Sequence, residues 1–201
     1  MSESPAQRRY TIAEYLDLET ASVSRHEYHD GLIVAMAGGS PRHALVIANA
    51  MGAIGSALKG KPCRAYSSDL KVYSPHNRSF VYPDISVVCG PLEHGPATRD
   101  QGSVTNPTLT VEVLSPATEG YDRGRKFAGY RALGSFREYV LVSTDEPRIE
   151  TCFREDDGRW VMGFVEGLQA AITLRSVGIT LSLAVVYAGV EFETPLPPPL
   201  G

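Results

Sequence analysis

Positive charge is scarce in this chain: 19 lysines and arginines face 23 aspartates and glutamates, a formal net charge of -4 with a pI near 5.7. Domains that coat nucleic acid by bulk electrostatics are clearly basic, so any nucleic-acid contact must be local. Long hydrophobic runs are missing too. The longest apolar stretches, around Leu109–Leu114 and Leu181–Val186, fall far short of the ~20 residues that cross a bilayer, and no membrane role is expected. The opening MSESPAQRRY lacks the apolar core of a secretory signal. Three widely spaced cysteines, Cys63, Cys89 and Cys152, make neither a zinc pattern nor an even disulfide set, so a reducing cytoplasm is the expected location. There is no G-x-S-x-G elbow and no cysteine beside an obvious histidine and acid, which sets aside a serine or cysteine hydrolase.

What remains is a globular composition. With 201 residues, 43% hydrophobic and 21% charged, the chain suits one core. We expect a single domain over residues 10–190, a flexible segment over 1–9 and an extended or disordered proline-rich tail over 191–201.

Local signals place the elements. Thr11-Ile12-Ala13-Glu14 is a capping box that opens a helix ending before Ser22. His26 to Met36 reads as two strands about Asp30-Gly31, a dipeptide suited to a tight hairpin turn. Val46, Ile47, Ala50, Ile54 and Leu58 keep helical rhythm between Pro41 and Gly60. Strand candidates follow at Arg64–Tyr73, Phe80–Cys89 and Leu109–Leu114, with a polar loop between Gly90 and Pro107. A helix is expected from about Glu119 to Leu133, stopped by Gly134, and a strand over Glu138–Ser143, which suggests a β-α-β crossover. Arg148–Arg154 and Arg159–Val165 form a second hairpin about Asp156-Asp157-Gly158, and Leu181–Tyr187 reads as a closing strand or helix turn.

Two carboxylates stand out. Asp84, after Pro83, interrupts an apolar strand candidate, and Glu112 is the single charge in Leu109–Leu114. A buried carboxylate is costly without a partner or a cation, and hard oxygen donors suit Mg²⁺ or Mn²⁺. An edge position or a buried salt bridge would explain either one alone; convergence on one cation explains both. Lys126 could contact a scissile phosphate from the following helix, or could simply pair with Asp122 on the surface at i,i+4 spacing. Strand alternation puts Glu27 and His29 on one face, while Glu27 could equally pair with Arg25. Asp69 is a further candidate metal ligand. His43 sits near a helix start, where it could reach a cleft mouth or cap the helix, and Ser115-Pro116 shapes a strand-to-helix turn. Arg123, Arg125, Lys126, Arg131 and Arg137 crowd one region, either as a phosphate-holding face or as a solvated one.

These residues, in this order, resemble the PD-(D/E)xK nuclease superfamily. More specifically they resemble the Uma family, described as "putative restriction endonucleases" and once a domain of unknown function. The resemblance runs from Tyr10 to Tyr187 and rests on His26-Glu27-Tyr28-His29-Asp30-Gly31, Ser40-Pro41-Arg42-His43, Tyr82-Pro83-Asp84-Ile85, Val111-Glu112-Val113-Leu114-Ser115-Pro116 and Asp122-Arg123-Gly124-Arg125-Lys126. It implies an α/β (α+β) restriction-endonuclease-like fold: an αβββαβ core, a mixed central sheet flanked by helices, an N-terminal helix and hairpin, and a C-terminal hairpin. It also implies Mg²⁺- or Mn²⁺-dependent hydrolysis of nucleic acid, most simply DNA, with Asp84 and Glu112 as metal ligands and Glu27 as the upstream acid near the metal, a further candidate ligand. Leu114 occupies the signature's usual lysine position, so Lys126 must enter from the helix instead. A catalytically silent binding or assembly module on the same fold is the alternative. Cutting two strands would call for two sites and hence a homodimer, although no segment shows an interface.

Overall fold

The N-terminal signals form as their chemistry requires. In the computed structural model, which describes residues 8–36, 38–95 and 102–192, Thr11 caps helix α1 (Ile12–Ala21): its hydroxyl accepts from the Glu14 N–H and the Glu14 carboxylate accepts from the Thr11 N–H at 2.7 Å. Strands β1 (His26–His29) and β2 (Leu32–Ala35) meet at Asp30 and Gly31, both at positive φ (43° and 98°), as a two-residue hairpin turn needs. Helix α2 (Pro41–Ala57) starts with Ser40 as its cap and buries Val46, Ala50 and Ile54. The expectations for residues 1–9 and 191–201 fall mostly on residues outside those described, as does part of the 90–107 loop.

Two expected strands are each split between two sheets. Arg64–Tyr73 becomes β3 (Cys63–Ser67) and β4 (Lys71–Ser74), because the chain turns at Ser67, whose carbonyl accepts from the Leu70 N–H. Phe80–Cys89 becomes β5 (Ser79–Val81) and β6 (Ile85–Cys89), because Pro83 has no N–H to carry a ladder through. Asp84 is therefore at a crossover between sheets, not inside a strand.

A short β7 (Ser103–Val104) lies in the stretch expected to be loop, and β8 (Leu109–Val113) follows. The next helix is continuous but not uniform: α3 (Glu119–Tyr121) passes through a π-turn (Asp122–Lys126) into α4 (Phe127–Arg131). Then come β9 (Glu138–Val142), the hairpin β10 (Arg148–Arg154) and β11 (Trp160–Glu166), a further hairpin β12 (Ala171–Leu174) and β13 (Ile179–Ser182) whose first strand the sequence reading did not anticipate, and the helical turn α5 (Leu183–Val186).

The six-stranded sheet runs β11-β10-β9-β8-β6-β3, with β8 and β9 parallel and its other neighbours antiparallel. Reading α2, β3, β6, β8, the α3–α4 helix and β9 in chain order gives the expected αβββαβ core in a mixed sheet. The N-terminal hairpin instead belongs to a second sheet, β2-β1-β5-β4-β7.

Alternation along the strands sorts the core. Leu109, Val111 and Val113 of β8 pack with Ile85 and Val87 of β6 against α2, while Tyr130, Phe136 and Tyr139 fill a second core with Leu114. Glu112 points away from the first core, towards the π-turn. Among the described residues no helix is long and apolar enough to cross a membrane.

Cys63 and Cys89 are joined by a disulfide, which corrects the expectation of unpaired thiols. Antiparallel pairing of β3 with β6 makes them register partners despite a separation of 26 residues, a relation that sequence spacing does not display. The bridge removes the cysteine argument for a reducing compartment.

Candidate active site

The register Ile85↔Val111 places Asp84, just before β6, across from Glu112 on β8. The two share a polar strip: the next register pair inward, Ser86 and Thr110, is fully buried, with hydroxyls that have no partner among the described residues. The Val113 N–H donates to Asp84 Oδ2 at 2.7 Å, and the Val113 carbonyl accepts from His43 Nε2 at 2.8 Å. His43 thus lies on the cleft wall, 3.8 Å from Asp84 Oδ2, instead of serving only as a helix-start residue.

Lys126 comes up from the π-turn. Its Nζ donates to Glu112 Oε2 at 2.8 Å and to the Tyr82 carbonyl at 3.0 Å, and lies 3.5 Å from Glu27 Oε1 and 3.7 Å from Asp122 Oδ1. The Asp122–Lys126 pair expected on the surface is buried, because the wider π-turn directs both side chains to the cleft floor. The other Glu112 oxygen accepts from the Tyr130 hydroxyl at 2.9 Å.

Glu27 reaches the same centre from the second sheet. It accepts from the Tyr82 N–H at 3.0 Å and from the Tyr121 hydroxyl at 2.6 Å. Tyr121 is also 3.0 Å from His29 Nε2, so the alternation that put Glu27 and His29 on one face holds. The expected alternative partner, Arg25, binds Asp69. That corrects the place given to Asp69: its side chain is exposed on the surface and tied to Arg25 and Ser67, not to the cleft. The arginine cluster also disperses. Arg123 is held by Glu119 and Glu150, Arg137 by Asp156, and Arg131 lies over Phe127 and Trp160, leaving Arg125 and Lys126 in the cleft.

The electrostatics are lopsided. Glu27, Asp84, Glu112 and Asp122 all line the cleft around a single ammonium. Burial pushes Asp84 up, against the pull of Lys126 and the Val113 N–H, and pushes Glu112 well up, with Asp84 and Asp122 adding to the rise. Asp122 is raised by burial as well. Glu27 differs: although burial opposes it, Lys126, His29, Tyr121 and the Tyr82 N–H bring it down to about 2. Burial would strip the Lys126 proton, but Glu112, Glu27 and Asp122 hold it on and raise its pKa. Sequence alone does not mark Tyr82, Tyr121, Tyr130 or Asp122 as members of the site. Only Asp122, spaced four residues from Lys126, carried a signal, and helical spacing pointed it the wrong way.

The cleft has a volume of about 1030 Å³ and runs between the β1–β2 hairpin, the start of α2 and residues 115–126. Among the described residues no three histidine, cysteine or acidic side chains form a ready-made metal cage. The donor set fits Mg²⁺ in its usual manner, one or two carboxylates with the remaining positions filled by water.

A nuclease-like fold is also what comparison with solved structures returns. The crystal structure of a protein described as a putative nuclease belonging to DUF820 from Anabaena variabilis superposes with a TM-score of 0.71, at 18% identity, over 89% of this chain and 98% of the other. The match shows the shared fold. The chain belongs to the Uma2 family, described as "putative restriction endonuclease", whose model matches residues 12–185. Two uncharacterized proteins of Synechocystis sp. are relatives: slr1290 at 37% identity, covering 89% of this chain and 92% of that protein, and sll1609 at 30%, covering 81% and 90%.

Proposed function

We propose that the protein is a Mg²⁺- or Mn²⁺-dependent nuclease that hydrolyses phosphodiester bonds in DNA. The observation that supports it is the gathering of four carboxylates about one lysine on a buried cleft floor. Asp84 and Glu112 would hold the cation, which when bound activates water for attack on phosphorus and neutralises the phosphate. Lys126, kept protonated by its acidic neighbours, offsets the negative charge that grows on the phosphate oxygens during attack. Val113 fixes the Asp84 carboxylate through its N–H, and Tyr130 and Lys126 fix that of Glu112. Glu27, ionised at neutral pH, anchors Lys126 from the opposite sheet.

A second reading has its own observation. Both Glu112 oxygens already have partners, Lys126 and Tyr130, which would suit a silent module that binds without cutting. Purified protein incubated with plasmid and single-stranded DNA in Mg²⁺ or Mn²⁺ separates the two. The nuclease reading expects cleavage that EDTA abolishes and that Asp84→Ala and Glu112→Ala lack while remaining folded. Binding with no cleavage under any of these conditions selects the silent module.

A further inference from the structure

We infer that the cleft accepts unpaired DNA, a single strand or a frayed end, in preference to continuous duplex. The inference rests on the nuclease reading above and narrows its substrate. Depth comes first. The side chains of Glu112, Lys126 and Glu27 are only 3%, 6% and 8% exposed, so a phosphate must descend between the walls, carrying its neighbouring nucleotides with it. Duplex DNA is stiff over ~150 base pairs and keeps its bases stacked inside, so it meets such a cleft at the rim. An unpaired strand bends into it freely.

Charge is the second observation. Proteins that grip duplex commonly make ~6–10 phosphate contacts. Here Arg9, Arg25, Arg123, Arg137, Arg148 and Arg175 are all spent on carboxylates of this chain. Besides Lys126, the cleft's cations are Arg42 and Arg125, neither of which has an ion-pair partner among the described residues. Two phosphates is the footprint these allow, against a chain of net charge -4.

The third observation is an apolar lip in an unusual place. Val34 is the register partner of Glu27 and shares its face, and Met36 continues that face by alternation. Both are exposed, at 51% and 36%, and both line the cleft, as do the exposed Pro116 and Ala117. Apolar side chains flanking a buried acidic floor offer nothing to the phosphates of a duplex. They offer the exposed faces of unpaired bases van der Waals contact.

Fluorescence anisotropy of the full chain in calcium buffer tests this, with a labelled single strand and the blunt duplex of the same sequence as probes. The single strand should bind at least ~10-fold tighter, with a log–log salt slope near ~1.4, the value for two phosphates on a single strand. Arg125→Ala should halve that slope. Val34→Asp should weaken single-strand binding several-fold with an unchanged melting temperature. Duplex binding as tight as single strand, a slope of duplex scale, or a silent Val34→Asp overturns the inference. If duplex is bound better and is cut in Mg²⁺, the nuclease reading stands without it. If neither probe is bound or cut, both fall together.

Discussion

Glu112 and Glu138 occupy neighbouring parallel strands, and both are buried acids in otherwise apolar segments, 2% and 0% exposed. Burial raises both. What differs is the means of satisfaction. Glu138 is met by fixed donors of the β12–β13 turn: the Arg175 N–H at 3.1 Å, the Ser176 N–H at 2.8 Å and the Ser176 hydroxyl at 2.7 Å. It ties the hairpin to the sheet and has no opening to the cleft. Glu112 leans on an ammonium shared with two other acids, Glu27 and Asp122, and faces the cleft. A charge in a core strand signals that something must satisfy it. Whether that something is rigid amides or a contested cation separates a structural brace from a chemical site.

Exchanging each acid for its amide should divide the pair most sharply. Glu112→Gln is expected to lower Mg²⁺-dependent cleavage by ~10²-fold or more, the scale of losing one group that acts on the transition state. Its fold should persist, since the amide keeps the Tyr130 contact. Glu138→Gln should instead cost about 1–3 kcal/mol of stability, because backbone donors lose a charged acceptor, with cleavage per folded molecule unchanged. Plasmid nicking alongside thermal melts reads both. A Glu138→Gln protein that is stable but inactive would erase the distinction.

Acidity sharpens the same contrast. Asp84, Glu112, Asp122 and Glu138 carry raised values, so the native state holds their protons more tightly than the unfolded chain does. Stability from these groups falls as pH rises out of the ordinary carboxylate range. Glu27 works in the opposite sense: its contribution is present above 4.5 and is lost as pH falls towards about 2. Without divalent cations, the melting temperature should decline towards neutral pH. Mg²⁺ should recover the part owed to Asp84 and Glu112 and leave the part owed to Glu138. Asp84→Asn in EDTA should gain about 1 kcal/mol, the size typical of relieving a strained functional residue, and should lose its response to Mg²⁺. An Asp84→Asn protein that Mg²⁺ still stabilises would place the cation elsewhere.

Much of this was legible along the chain, though unevenly. The capping box, both expected hairpins and the long helix followed from local chemistry, and Glu112 from a lone charge in a strand. The cost of a buried carboxylate singles out Asp84, but its setting is not a strand: Pro83 breaks the ladder and the aspartate closes a crossover. Glu138 carried the same signal as Glu112, and only the remote Arg175–Ser176 turn shows why it differs. Spacing of four residues implied a surface pair for Asp122 and Lys126, because a π-turn is invisible to a 3.6-residue rhythm. Asp69 and the arginine cluster looked available because their partners, Arg25, Glu150 and Asp156, are far off in sequence or on other strands. Cys63 and Cys89 were hidden by the same distance.

The smallest expected effect concerns the other edge of the cleft. Tyr121 gives Glu27 its shortest hydrogen bond, 2.6 Å, and takes one from His29, while Lys126 and the Tyr82 N–H act on Glu27 independently. Tyr121→Phe should therefore weaken Glu27 without freeing it: about 1 kcal/mol of stability lost and a several-fold drop in cleavage. The acid limb of the stability profile should move to higher pH, because Glu27 would no longer be held as low. Glu27→Gln should do more, since it also deprives Lys126 of an anchor. If Tyr121→Phe costs as much cleavage as Glu27→Gln while the acid limb stays in place, the phenol meets the substrate itself and does not work through the carboxylate.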